Sequence, residues 1–186
     1  MNPQTSPSDD EIVSETRDWL VDAVIGLNLC PFAKAVHVKQ QIRYVVSRAE
    51  TADALLRDLI HELEHLATVG AEITDTTLLI HPFVFGDFLD FNDFLETADA
   101  AVEELDLAGI IQVASFHPQF QFADTGADDI TNYTNRSPYP TLHLLREDSV
   151  SRAVEAFPDA ADIFEKNMAT LNALGKDGWE KLRNAK

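Results

Sequence analysis

The sequence predicts an α+β fold: a four-stranded mixed sheet in β-α-β-α-β-β order, with a helix before it and helices after it. Three observations predict this. Short runs rich in β-branched and apolar residues recur along the chain, and segments of helical period separate the first three. The third and fourth runs are joined by a long polar stretch without helical period, so antiparallel pairing is the simpler connection. Helical patterns with capping residues stand at both ends. The chain of 186 residues is read as one domain, with a loose tail over 1–7, a core over 8–156 and a C-terminal helical extension over 157–186.

Ser8 and Glu11 form a capping box, and Ile12, Thr16, Trp19, Leu20, Ala23, Val24 and Leu27 repeat at helical spacing. That helix runs to about Leu27, where Gly26 and Asn28 are stop signals. Pro31 keeps Cys30 out of a continuing helix. Gln41–Ser47 is the first strand. Ser47 and Glu50 suggest a second capping box, opening a helix through about Val69. Thr76–His81 is the second strand, stopped by Pro82, and Asp90–Leu105 is the third helix. Gly109–Phe116 is a nearly continuous apolar run of the kind expected for a buried central strand. Thr141–Arg146 is the fourth strand. Helices follow from about Ser149 and again after Pro158, ending in a charged tail with Trp179.

A formal net charge of −18 repels phosphate backbones and anionic lipid, so neither a nucleic-acid nor a membrane partner is expected. The single cysteine, Cys30, excludes an intramolecular disulfide framework and a cysteine-rich zinc site. No basic n-region with an apolar h-region opens the chain, and no apolar run is long enough to span a bilayer. The location expected is cytoplasmic.

The two parallel crossovers place the carboxyl ends of the second and third strands at one rim, where ligands of such sheets bind. His81 and His117 end those strands, each fixed in extended conformation by a following proline. The long Phe116–Pro140 loop would roof them. It contributes Asp128, Asp129, Asn132, Asn135 and Arg136, a bidentate donor suited to a carboxylate or phosphate, and Tyr139 lies at its end. His143 alternates with Leu142 and Leu144 and reads as a hydrogen-bonded core histidine. The run His61-Glu62-Leu63-Glu64-His65 matches HExxH, the zinc-hydrolase pattern. The apolar face of its helix, however, is Leu55, Leu56, Leu59, Ile60, Leu63 and Leu66, which places His61 and His65 on the solvent side.

The segments LNLCPFAKAV, DTTLLIHPFVFGDFLDFNDFL, IIQVASFHPQFQFA and NYTNRSPYPTLHLLRE resemble a bacterial domain family of unknown function, typical of proteobacteria, from about Trp19 to Arg152. HELEH is not part of that signature. Cys30-Pro31 after an opening helix, a strand entering His-Pro, and an Arg and a Pro before another strand also look like haem-dependent oxygenases acting on guanidino-type substrates. That similarity implies His117 as the axial iron ligand. Pro140-Thr141 entering a strand looks like a thioredoxin-type fold, but no CxxC is present.

The expected function is that of a small-molecule enzyme with its pocket under the Phe116–Pro140 loop. The expected cofactor is haem or another transition metal on His117, with Arg136 as substrate anchor and Cys30, His81, Asp128, Asn132, Asn135 and Tyr139 as further ligand contacts. Two other readings stand beside it. One is metal-free acid–base chemistry, with His117 as general base oriented by Asp129. The other is a non-catalytic binding or assembly module.

Overall fold

The structure, a computed structural model, describes residues 6–156 and 162–183. Helix α1 (Asp9–Trp19) opens with the expected box: Glu11 N donates to Ser8 Oγ at 3.3 Å, and Ser8 N donates to Glu11 Oε2 at 2.8 Å. The helix does not continue as α to Leu27. Leu20–Ile25 is wound as a π-helix, so that Gly26 N donates to Val21 O and Leu29 N to Val24 O, each five residues back. Asn28 then reverses the chain at φ 54°. A short helix α2 (Ala33–Val38) follows, where no helix is evident in the sequence because six residues are too few to show a period.

The sheet comprises β1 (Ile42–Val46), β2 (Thr76–Ile80), β3 (Ile111–Phe116) and β4 (Thr141–Arg146). Its order is β1-β2-β4-β3, with β1 parallel to β2 and β4 antiparallel to both β2 and β3. The mixed sheet is thus as expected, but β3 is an edge strand and β4 and β2 are central. The apolar run of β3 is therefore not that of a buried central strand: only Ile111 is buried, Gln112 is exposed and residues 113–116 are half-buried.

Helix α3 (Ala52–Thr68) starts four residues later than expected. Its N-cap is Thr51, and Ser47 instead donates to Asp58 at 2.5 Å and accepts from Ala49 N. Helix α4 (Phe88–Glu104) is capped by Asp87, which accepts from Leu89 N and Asp90 N. These two helices cover one sheet face. Leu55, Leu59, Leu63 and Leu66 of α3 meet Leu79, Leu142, Leu144, Phe91 and Ala98 in a single cluster. Each such fully buried leucine contributes about 1.5–3 kcal/mol. Glu62 points inward as well, to a two-point bond from Arg43 of β1 at 2.7 and 3.1 Å. His61 is exposed and His65 half-buried, so the glutamate and histidines of HELEH do not converge on one centre.

The other sheet face is covered by the π-helix, α2 and α5 (Glu147–Ala156), and more loosely. Helix α6 (Ile163–Arg183) bends at Gly175, whose φ is 66°. The start expected after Pro158 lies outside the described residues, as does the tail over 1–5. Trp179 belongs to no tail: it is 4% exposed, packed in α6 against Tyr133 and in a cluster with Ala23, Leu29 and Leu171. Asn167 of α6 donates to Leu29 O at 2.9 Å and so holds the turn that leads to Cys30.

Candidate functional site

The expected rim exists. Ile80 and Phe116 both stand opposite Thr141, so His81 and His117 emerge at the same end of the sheet. Both are fully buried. The Phe91 ring lies 5.1 Å from the His81 ring and 5.4 Å from the His117 ring, with Phe85 and Phe88 packed alongside. Both nitrogens of His117 are engaged: Nε2 donates to Phe85 O at 3.0 Å, and Nδ1 accepts from Gln119 N at 3.0 Å. Phe85 sits at φ 59°, a left-handed conformation costly for a bulky residue, and the His117 bond and aromatic packing hold it there. His81 Nδ1 donates to Val84 O at 3.3 Å, while its Nε2 is buried without a partner. Burial, and secondarily the neighbouring His117, pushes the His81 pKa down to about 4. Burial also lowers that of His117, opposed by the Phe85 carbonyl and Asp87. This end of the sheet is a solid aromatic plug.

The loop residues fasten the loop to itself. Asn132 accepts from Phe122 N and Thr125 Oγ1 at 3.0 and 2.8 Å and donates to Gly126 O at 2.9 Å. Arg136 donates to Phe120 O and Ala127 O and stacks over Tyr133 at 4.4 Å. Asn135 donates to Ser115 O, and its carbonyl receives His117 N. Asp129 caps the 3-10 turn Ile130–Thr134 by accepting from Thr131 N and Oγ1, and these bonds lower its pKa. It does not orient His117. Asp128 points outward to Lys176 at 3.1 Å. Tyr139 donates to Glu15 at 2.6 Å, and burial together with that carboxylate pushes its pKa up to about 12.

A haem on His117 does not fit these residues. Its axial nitrogen is committed to Phe85, and His117 borders neither of the two principal hollows. Nor do three or more His, Cys, Asp or Glu side chains group as a metal site among the described residues. General-base chemistry at His117 has the same obstacle, since the lone pair on Nδ1 is already occupied by Gln119 N.

The open space lies elsewhere. A cavity of about 770 Å³ separates the second sheet face from its loose cover. Its floor is Thr76 and Leu78 of β2, Gln112, Ala114 and Phe116 of β3, and His143 and Leu145 of β4. Its roof is Trp19, Leu20 and Val24, the Cys30–Val36 stretch, and Val150, Ala153 and Ala156 of α5. Most of this lining is apolar. Trp19 and Phe116 meet edge to face at 5.2 Å, and Phe116 lies 5.8 Å from the His143 ring.

His143 is the polar centre of that floor. Thr76 Oγ1 spends its proton on Leu144 O at 2.6 Å, so at 2.7 Å it receives the N–H of His143 Nε2. This leaves Nδ1 as a lone-pair acceptor with no protein partner among the described residues. Burial pushes the His143 pKa down to about 4, so the ring is neutral at pH 7. The Cys30 thiol, on the roof, is held protonated mainly by burial, against the pull of the Phe32 and Ala33 amides.

The structure therefore places Cys30 at a different site from the other candidates. The sequence carried no local signal for the cavity, because its floor mixes Thr76, Gln112, Ala114 and His143 with Leu78, Phe116 and Leu145.

Among the described residues, no helix is long and apolar enough to cross a membrane. No curated protein and no solved structure matches the chain. A family model described as protein of unknown function (DUF1415) matches residues 11–181. The match spans the sheet, the plug, the cavity walls and most of α6, and the chain belongs to the DUF1415 family.

Proposed function

We propose that this protein binds a small, predominantly apolar molecule in the cavity between the sheet and α5, and that His143 Nδ1 accepts a hydrogen bond from the polar group the ligand buries. The observation that carries this reading is the unpartnered Nδ1 on the floor of an otherwise apolar hollow. A volume of about 770 Å³ falls within the range typical of small-molecule sites. His143 is half-buried, so a donor that enters the hollow can reach its free lone pair. The ring's low pKa makes it a poor general base at neutral pH, which supports binding over acid–base catalysis.

The test uses 4-ethylphenol and its methyl ether, 4-ethylanisole, followed by calorimetry and by thermal stabilisation, which reports ligand binding to the native state. The phenol should bind about tenfold more tightly than the ether. His143→Phe should remove that difference. Ala114→Trp, which projects a large ring into the hollow, should weaken both ligands about tenfold while leaving the circular dichroism unchanged. Equal binding of both ligands to wild type and to both variants would refute the proposal.

A further inference from the structure

The charged side chains that line the cavity and the hollow beside it identify the ligand more closely. From Ala23 to Ala49 the sequence holds none of the chain's 32 Asp and Glu, yet it includes Lys34, Lys39, Arg43 and Arg48. Arg43 and Arg48 are paired with Glu62 and Asp9. Lys39 is exposed, borders the cavity and has no carboxylate partner among the described residues. A second hollow, of about 480 Å³, opens beside the cavity at β1. The two share Ile42 as a wall. Arg17 lines the second hollow and lies over the Tyr44 ring at 5.1 Å.

Together the linings of the two hollows contain Arg17, Lys39, Arg146 and Arg152 against only Glu72 and Asp75. Asp75 keeps its charge while accepting from Ser149 at 2.5 Å, and Arg146 keeps its own while bonding the carbonyls of Leu66, Val69 and Thr74, so four cations stand against two carboxylates. On a chain of net charge −18, a locally cationic mouth on an apolar cavity selects for an anion.

We infer that the ligand is an apolar carboxylate with a hydroxyl at its far end, its carboxylate held beside Ile42 by Lys39 and Arg17 and its hydroxyl donating to His143 Nδ1. This rests on the cavity reading above and adds the ligand's class. Register sets the span. Ile42 stands opposite Thr76, which stands opposite Leu145, two residues from His143. Two strand spacings across and two residues along come to about 12 Å. A single aromatic ring with a short acid side chain suits that distance. The surrounding acidic surface would repel the same anion everywhere else, which favours this mouth as its point of entry.

Calorimetry with 3-(4-hydroxyphenyl)propanoate and its methyl ester tests the inference. Wild type should bind the acid about tenfold more tightly than the ester, and 0.5 M salt should narrow that gap, as it does for exposed charges. The double variant Arg17→Glu, Lys39→Glu should bind the acid no better than the ester and should leave ester affinity unchanged. Both positions are exposed, and an unchanged circular dichroism spectrum checks that the variant folds despite losing the Arg17–Tyr44 stacking. Equal affinity of acid and ester for wild type overturns the carboxylate assignment and leaves the cavity reading standing. No binding of either ligand overturns both.

Discussion

The plug and the hollow use the same residue types to opposite ends. At the plug, two buried histidines are enclosed by Phe85, Phe88 and Phe91, and His117 has both ring nitrogens matched by main-chain groups. At the hollow, one histidine is held by a single threonine and faces empty space on its other side. A histidine at a strand end, beside a long loop, looks functional in sequence; one in mid-strand looks like a hydrogen-bonded core residue. The strand-end rings are enclosed, while the mid-strand ring bonds Thr76 as expected and also borders a hollow; what packs against each ring makes the difference. Loop Phe116–Pro140 folds back on itself through side-chain bonds to its own main chain, and His81 and His117 border neither hollow. Helix α5 leaves part of the sheet face uncovered.

The contrast can be broken by substitution, and the largest effect should come at the plug. Phe91→Ala removes a fully buried ring that touches both histidines and should cost about 3–5 kcal/mol, read as a lower urea midpoint with unchanged slope. Affinity for 4-ethylphenol should stay within about twofold.

Acid is the next lever. His81 and His143 are neutral in the fold down to about pH 4, whereas in the unfolded chain they take up protons near pH 6.5. The unfolded state therefore binds more protons between those values, and stability is lost as pH falls from 6.5 to 4. Each histidine accounts for on the order of 3 kcal/mol across that window. His117, also lowered by burial, adds to the slope; a urea series over pH should show it, and His143→Phe should remove the share of one histidine.

A smaller loss is expected from the loop. Asn132→Ala strands Phe122 N–H and Gly126 O and should cost about 1–3 kcal/mol, with faster proteolytic nicking between Phe116 and Pro140. The smallest effect should fall at the hollow. Ala114→Phe adds a ring where there is space for it and should change stability by less than about 1 kcal/mol, whereas comparable overpacking in a filled core costs more. A loss there as large as that of Phe91→Ala would mean that the hollow is not open.

Legibility in the sequence followed locality. Ser8 and Glu11 cap α1 because their partners lie three residues apart, and β4 runs over Thr141–Arg146 as its alternation states. The same local logic misled at Ser47, whose hydroxyl found Asp58 eleven residues on and left the N-cap to Thr51. The π-helix over Leu20–Ile25 was not legible, because the same apolar positions fit an α-helix. Of the site residues, Cys30 and His143 were visible as residue types. Their nearness to one cavity was not.

The sequence by itself determined the longer helices α1, α3 and α4, the strands, the antiparallel last pair and the convergence of His81 and His117 at one end of the sheet. Those follow from periodicity, caps and connection length, which act over a few residues. Only the tertiary structure decided that β4 enters between β2 and β3, that Arg136 and Asn132 turn inward to main-chain groups, and that a void remains above His143. A cavity is the difference between the shapes of surfaces distant in sequence, so no local pattern encodes it.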